Sequence, residues 1–200
     1  LLRLKTEFAQ LAGLKNQSTA NRDTGMLSIT LNDLFIKALA MSLRDYPIAN
    51  SAWTDEARIV HSSVDIGIAV ALDDGLITPI IRNAANKPID QISFEARQLI
   101  ARARSGTLTR PEYQGGTSAV SNLGMFGVKD FAAIVNPPHG SILAVGAGTQ
   151  QAVVKDGAVV PATVMSVTLS TDHRAVDGAL GAELMLAFKG YIQNPMSMLV

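Results

Sequence analysis

The run Val164-Met165-Ser166-Val167-Thr168-Leu169-Ser170 alternates apolar with small or hydroxyl residues. It passes through Thr171-Asp172-His173-Arg174-Ala175-Val176-Asp177-Gly178 into an apolar set at helical spacing, Leu180, Leu184, Phe188 and Tyr191. No other stretch constrains the fold as much. A period of two predicts a half-buried strand, and the later period of 3.6 predicts a helix that returns its apolar stripe to the same sheet. Continued to the end of the run, the alternation places Met165, Val167, Leu169, Thr171 and His173 on one face. A histidine is then carried into the protein with Asp177 four residues on. Imidazole accepts a proton near neutral pH, so this arrangement suits a general base. The same residues admit a plainer reading, in which Asp177 caps the helix that opens at Gly178 and His173 is a core histidine satisfied by a carbonyl.

Upstream, Leu1, Leu4, Phe8 and Leu11 recur at helical spacing, and the polar stretch Lys15 to Gly25 reads as a loop. Thr30 or Asn32 is placed to cap a helix through Leu34, Ala38, Met41 and Leu43, which Pro47 stops. Short strands are expected near Ala52–Thr54 and Arg58–His61. Val64 to Leu72 reads as a longer strand that turns at Asp73-Asp74-Gly75 and returns over Leu76 to Ile81, with Pro79 marking an edge or irregularity. Ile92 to Arg104 is helical by Phe94, Leu99 and Ile100, with Gly106 as its stop. Thr117–Leu123 and Ser141–Val145 read as buried strands. Asp156-Gly157 marks a hairpin, because that pair tolerates the positive φ angles of a tight turn. The order predicts an α/β or α+β sandwich with helices against one large sheet.

Two hundred residues bound this to one large domain or at most two small ones. The 48% hydrophobic and 17% charged composition is apolar for a monomer, yet no run of about 18 apolar residues provides a membrane span. Burial between subunits accounts for the excess, so an oligomer is expected. Lys+Arg and Asp+Glu are both 17, which leaves no global field for nucleic acid or anionic lipid. The absence of cysteine excludes disulfides, thiolate zinc sites and a cysteine nucleophile. His61, His139 and His173 share no metal-ligand spacing, so no metal is expected. The chain opens on Leu1, inside what reads as a helix, and is taken as a fragment.

A second constellation, Gly115 to Gly127, packs glycines and small hydroxyl residues around a short apolar core. Its glycines permit close approach, and Ser121 or Asn122 can donate to a developing negative charge. Ordinary turn chemistry at the two ends of a strand accounts for the same composition.

Together these tracts carry a resemblance. Ser170 to Gly178 resembles the H-R-x-x-D-G signature of the dihydrolipoamide acyltransferases, core enzymes of the 2-oxo acid dehydrogenase complexes, which are similar in fold to chloramphenicol acetyltransferase. Ser121 to Pro138, S-N-L-G-M-F-G-V-K-D-F-A-A-I-V-N-P-P, looks like the acetyl-transferring members of the pyruvate complex, and Val64 to Ala84 and Asp172 to Pro195 match as well. The resemblance implies an α/β two-layer sandwich of a mostly mixed β-sheet with helices packed on it. It also implies that residues 1–200 form an acyltransferase catalytic domain lacking its N-terminal part. The implied reaction moves an acetyl group between dihydrolipoamide and coenzyme A. His173 is then the general base, Ser121 the oxyanion donor and Asp177 the residue that orients the imidazole; no coenzyme A contact is assigned. The implied partners are further copies of the chain, as trimers assembling into a larger core, the other subunits of the complex, and a separate lipoyl-bearing domain. In trimers of this family the histidine and serine meet across a subunit boundary. The implied location is the bacterial cytoplasm or mitochondrial matrix. A structural core component without activity, or transfer of a succinyl or branched acyl group, remains as the alternative.

Overall fold

The computed structural model describes residues 29–199, so the expected helix over Leu1–Gly13 and the polar loop after it lie outside the described residues. Helix α1 (Leu31–Asp45) begins with a capping box. Thr30 Oγ1 accepts from the Asp33 amide at 3.3 Å, and the Asp33 carboxylate accepts from the Thr30 amide at 2.7 Å. The helix is buried almost all round, from Asp33 to Leu43, as expected of a helix inside a core and not on a surface. Its one buried lysine survives because Lys37 Nζ donates to the carbonyls of Ala85 and Lys87, both at 2.8 Å. Burial, reinforced by Arg44, pushes the Lys37 pKa down.

Strands β1 (Ser51–Trp53) and β2 (Arg58–Val60) form a small antiparallel hairpin. The stretch expected as one long strand divides into β3 (Ile66–Ile68) and β4 (Val70–Leu72). Its return divides into β5 (Gly75–Ile77) and β6 (Ile80–Ile81). The breaks fall at Ala69, whose amide turns to the Val120 carbonyl at 2.9 Å, and at Pro79, which has no N–H to give. The inner halves β3 and β6 therefore join the main sheet, while β4 and β5 pair as a separate ribbon. Helix α2 (Ile89–Arg104) starts three residues before the expected point. It buries Ile92, Ala96 and Leu99 but leaves Phe94 exposed, on the far side from that stripe. A short α3 (Arg110–Tyr113) leads to β7 (Ser118–Asn122) and β8 (Ser141–Val145).

β9 (Thr149–Lys155) and β10 (Ala158–Val164) form the expected hairpin. Its turn has φ of 53° at Asp156 and 79° at Gly157, as a primed turn requires. β11 (Val167–Thr171) and α4 (Gly178–Gln193) complete the chain, followed by a 3₁₀ turn over Pro195–Met198.

The main sheet has the order β11-β8-β7-β3-β6, with β3, β7 and β8 parallel to one another and an antiparallel strand on each edge. Ile66, Ile68, Val120, Leu143 and Val145 point from it into the core that α1, α2 and α4 complete. The opposite face carries Gly67, Ala119, Ile142 and Ala144, also buried. The expected mixed α/β sandwich is the architecture found.

Candidate active site

The strand that was to carry His173 stops at Thr171. Met165, Val167 and Leu169 do pack against the core, so the alternation holds that far. Asp172 to Val176 then form a turn, and it is Ala175 and Val176 that go inward, at 2% and 0% exposure, while His173 is exposed. The expectation that the strand's periodicity buries the imidazole is therefore corrected. A turn breaks the period of two and presents the ring at the protein surface.

That turn is tied down on every side. The Asp172 amide donates to the Gly140 carbonyl at 2.9 Å, and the amides of Ala175 and Val176 both donate back to the Asp172 carbonyl at 2.9 Å. Thr171 Oγ1 donates to the Val176 carbonyl at 3.2 Å. From the β1–β2 hairpin, Arg58 Nη1 reaches the Ala175 carbonyl at 3.4 Å and Ser51 Oγ reaches it at 3.5 Å. Arg174 donates from its Nε and Nη2 to the two carboxylate oxygens of Asp172, at 3.0 and 2.7 Å, with its guanidinium 5.8 Å from the Trp53 ring centroid. The Arg174 hydrogen bond holds the Asp172 carboxyl below the usual range. The backbone from which His173 projects is thereby fixed.

Asp177 has the plainer of its two roles. It is the N-cap of α4, with Oδ1 accepting from the Leu180 amide at 2.9 Å. The carboxylate is thus committed to the helix start, and Arg174 pairs with Asp172 instead. Among the described residues, no hydrogen bond joins Asp177 to the imidazole.

Ser121 lies on β7, half-buried, and its hydroxyl bonds to no other described residue. It belongs to the alternate set of β7 that points away from the helices, with Ala119. Its neighbour Asn122 is fixed, Oδ1 accepting from the Gly124 amide at 2.9 Å and Nδ2 donating to Asn32 Oδ1 at 3.3 Å. The strand therefore leaves Ser121 in a set direction with a free donor.

Register decides whether the two groups meet. Ser121 stands opposite Ala144, and Ala144 opposite Thr168, whereas the turn follows Thr171, which stands opposite Ser141. Ser121 and His173 are two strands apart sideways and on opposite ends of the sheet, so their backbones are separated by roughly 14 Å or more. A hydrogen bond spans about 3 Å. One chain does not bring them together.

Sequence reading missed the supports of the turn. Asp172 and Arg174 stand within the tract and their pairing was open to inspection. Trp53, Arg58 and Ser51 lie more than a hundred residues away, with nothing local to announce them.

A model of the 2-oxoacid dehydrogenases acyltransferase (catalytic domain) family matches residues 3–200. The dihydrolipoyllysine-residue acetyltransferase component of the pyruvate dehydrogenase complex of Rhizobium meliloti (strain 1021) is 59% identical over 172 residues, 86% of this chain and 38% of that protein. Its mitochondrial counterpart in Dictyostelium discoideum is 44% identical over 177 residues, 87% of this chain and 28% of that protein. The chain spans less than half the length of these curated relatives. Among solved structures, the cubic core of the pyruvate dehydrogenase multienzyme complex has a TM-score of 0.87 at 30% identity, covering 100% of this chain and 79% of that one. The Azotobacter vinelandii dihydrolipoamide acetyltransferase has the same score and coverage at 29% identity. The latter was studied for the role of a serine, a histidine and an asparagine in its catalytic mechanism, the serine 52 residues before the histidine and the asparagine four after it. Chloramphenicol acetyltransferase, with a TM-score of 0.56 at 14% identity over 94% of this chain and 82% of that one, shares the fold. On this match of sequence and fold, the chain belongs to the 2-oxoacid dehydrogenase acyltransferase family.

Proposed function

We propose that this chain transfers an acetyl group between dihydrolipoamide and coenzyme A, as the catalytic domain of an acetyltransferase at the core of a pyruvate dehydrogenase complex. The observation that carries this reading is spacing. Ser121 precedes His173 by 52 residues and Asp177 follows it by four, the separations of the three residues studied in the Azotobacter vinelandii enzyme, on the same fold. An aspartate stands here where that enzyme has an asparagine.

An alkyl thiol with a pKa near 8.5 is only a few per cent thiolate at neutral pH, so attack on a thioester needs a base. His173 takes the proton from the coenzyme A thiol as its sulfur bonds to the thioester carbonyl. The carbonyl oxygen becomes an oxyanion, which the Ser121 hydroxyl stabilises by donating to it. The tetrahedral carbon then expels the dihydrolipoamide sulfur, which receives its proton back from the imidazolium. No acyl-enzyme forms. Asp177 holds the start of α4, and with it the end of the turn that bears His173.

The roughly 14 Å between the two groups within one chain is bridged when His173 of one protomer faces Ser121 of another. We therefore read the working unit as a closed ring of subunits, a trimer, with trimers joined into a larger core as in the cubic assembly. Coenzyme A and a lipoyl group carried on a separate domain are the two substrates. The other subunits of the complex are the partners, and the bacterial cytoplasm or mitochondrial matrix is the location, in keeping with relatives of both origins.

His173→Ala tests the assignment. Loss of a positioned base typically lowers the rate by about 10²–10⁴, so turnover of acetyl coenzyme A with dihydrolipoamide should fall that far with little change in coenzyme A affinity. Near-normal kcat would end it. Succinyl and isobutyryl coenzyme A as alternative donors test the acyl group, and faster turnover with either would displace acetyl.

A further inference from the structure

The loop before β8 contains a second histidine that the reaction does not use. His139 is only 6% exposed. Its Nε2 lies 2.9 Å from the Gly115 carbonyl, so that nitrogen carries the proton and donates. The remaining ring nitrogen, Nδ1, is buried without a partner among the described residues. Burial pushes the pKa of the ring down against the opposing pull of the Gly115 carbonyl, and the neutral tautomer that the geometry requires is the form favoured.

The seat for this ring is made of glycine. A Cβ on Gly116, whose φ is +94°, would come within 2.5 Å of Nε2, and one on Gly67 within 3.3 Å of Cε1. The middle of β3 and the loop just before β7 thus carry no side chain where the imidazole lies. The next residue, Gly140, faces both ways, its amide donating to the Thr117 carbonyl at 3.1 Å and its carbonyl accepting from the Asp172 amide at 2.9 Å. A Cβ at Gly140 would overlap the Ser51 carbonyl oxygen at 1.7 Å, so this bridge has no room to shift. His139 and His173 each stand one residue from the same Gly140–Asp172 hydrogen bond.

We propose that His139 is a positioning residue for the catalytic turn: its bond to the Gly115 carbonyl locks the loop ending at Gly140, and that loop fixes the Asp172 peptide from which His173 projects. It acts through His173 and touches no substrate. A charged or flexible residue here loosens the Gly140 carbonyl, and with it the aim of the base. A misplacement of about 1 Å remote from the chemistry is enough to cost about 10²-fold in rate.

The inference rests on His173 being the base, so one readout is chosen that needs no turnover. Full-length, assembled protein carrying His139→Leu, which fills the seat without a donor, and His139→Gln, which retains an N–H donor, would be compared with wild type. Kinetic constants would be measured, together with the rate at which diethylpyrocarbonate modifies His173, followed by peptide mass spectrometry. For His139→Leu the expected result is a fall in kcat of about 10²-fold, KM values for both substrates near wild type, and an altered modification rate at His173. His139→Gln should recover most of both. The proposal is overturned by wild-type kcat in His139→Leu, or by equal losses in the two variants with an unchanged His173 modification rate. If His139→Leu does not assemble, His139→Gln decides alone, by whether its kcat and its His173 modification rate stay near wild type. An active His173→Ala protein would sink the base assignment itself, whatever the modification rates show.

Discussion

The two ends of the five-stranded sheet differ in how they treat a polar side chain. At the end where β11 stops, nine hydrogen bonds drawing on four separate segments hold the Asp172–Val176 turn, while the imidazole it presents takes part in none of them. At the other end, β7 holds Ser121 by strand pairing and by the Asn122 carboxamide, and again leaves the side-chain oxygen without a partner among the described residues. Each end is a rigid mount for one unengaged group. The parallel run of β7 and β8, with β11 returning antiparallel, keeps the two apart within a chain. Under the function proposed above they are two half-sites, which association completes.

The largest effect expected tests that division directly. His173→Ala protein and Ser121→Ala protein should each be nearly silent, the first down by about 10²–10⁴ and the second by about 10²–10³. Dissociated, mixed and reassembled, they should regain activity at roughly a quarter of the sites, those pairing an intact histidine of one chain with an intact serine of another. A mixture no better than the mean of its parents would mean that each site lies within one chain.

Asp177 sharpens the histidine end. If the carboxylate works as a cap, Asp177→Asn keeps the acceptor for the Leu180 amide and should preserve both stability and kcat. Asp177→Ala removes it and should lower stability by about 0.5–2 kcal/mol, with a loss of activity as the turn loosens. Chemical denaturation with parallel assays separates these outcomes. Equal losses in the two variants would show that the negative charge matters more than the cap.

The smallest effect concerns pH. His139 is held below its ordinary value of 6.5 by burial, with the Gly115 carbonyl opposing, so below that value the unfolded chain binds more protons than the folded one. Its contribution to stability is therefore fully present above pH 6.5 and is lost as pH falls through that value toward the lowered one. His139→Gln should flatten the decline in denaturation midpoint between neutral and mildly acidic pH. An unchanged slope would show that other groups dominate acid sensitivity.

Much of this was legible in the chain. Thr30 as a cap and the spacing of Leu34, Ala38 and Met41 announced α1, Asp156-Gly157 announced the hairpin, and the alternation of Val167 and Leu169 announced β11, because each is a local pattern with a local cause. Pro79 marked the irregularity that divides β5 from β6, but the break at Ala69 escaped, since a run of apolar residues does not say which part pairs with a distant strand. Phe94 misled for a related reason: an aromatic residue in a helical window does not reveal which stripe faces the core.

For the site, the sequence by itself determined the chemical groups, because residue type and spacing are covalent facts: an imidazole, a hydroxyl and a capping carboxylate at fixed separations. Only the tertiary structure decided where they point. His173 rides a turn instead of a strand face because Ala175 and Val176 take the buried positions. The supports from Trp53, Arg58 and His139 exist only once distant segments pack. Strand order and register, set by long-range pairing that no local pattern encodes, place Ser121 at the far end of the sheet from His173.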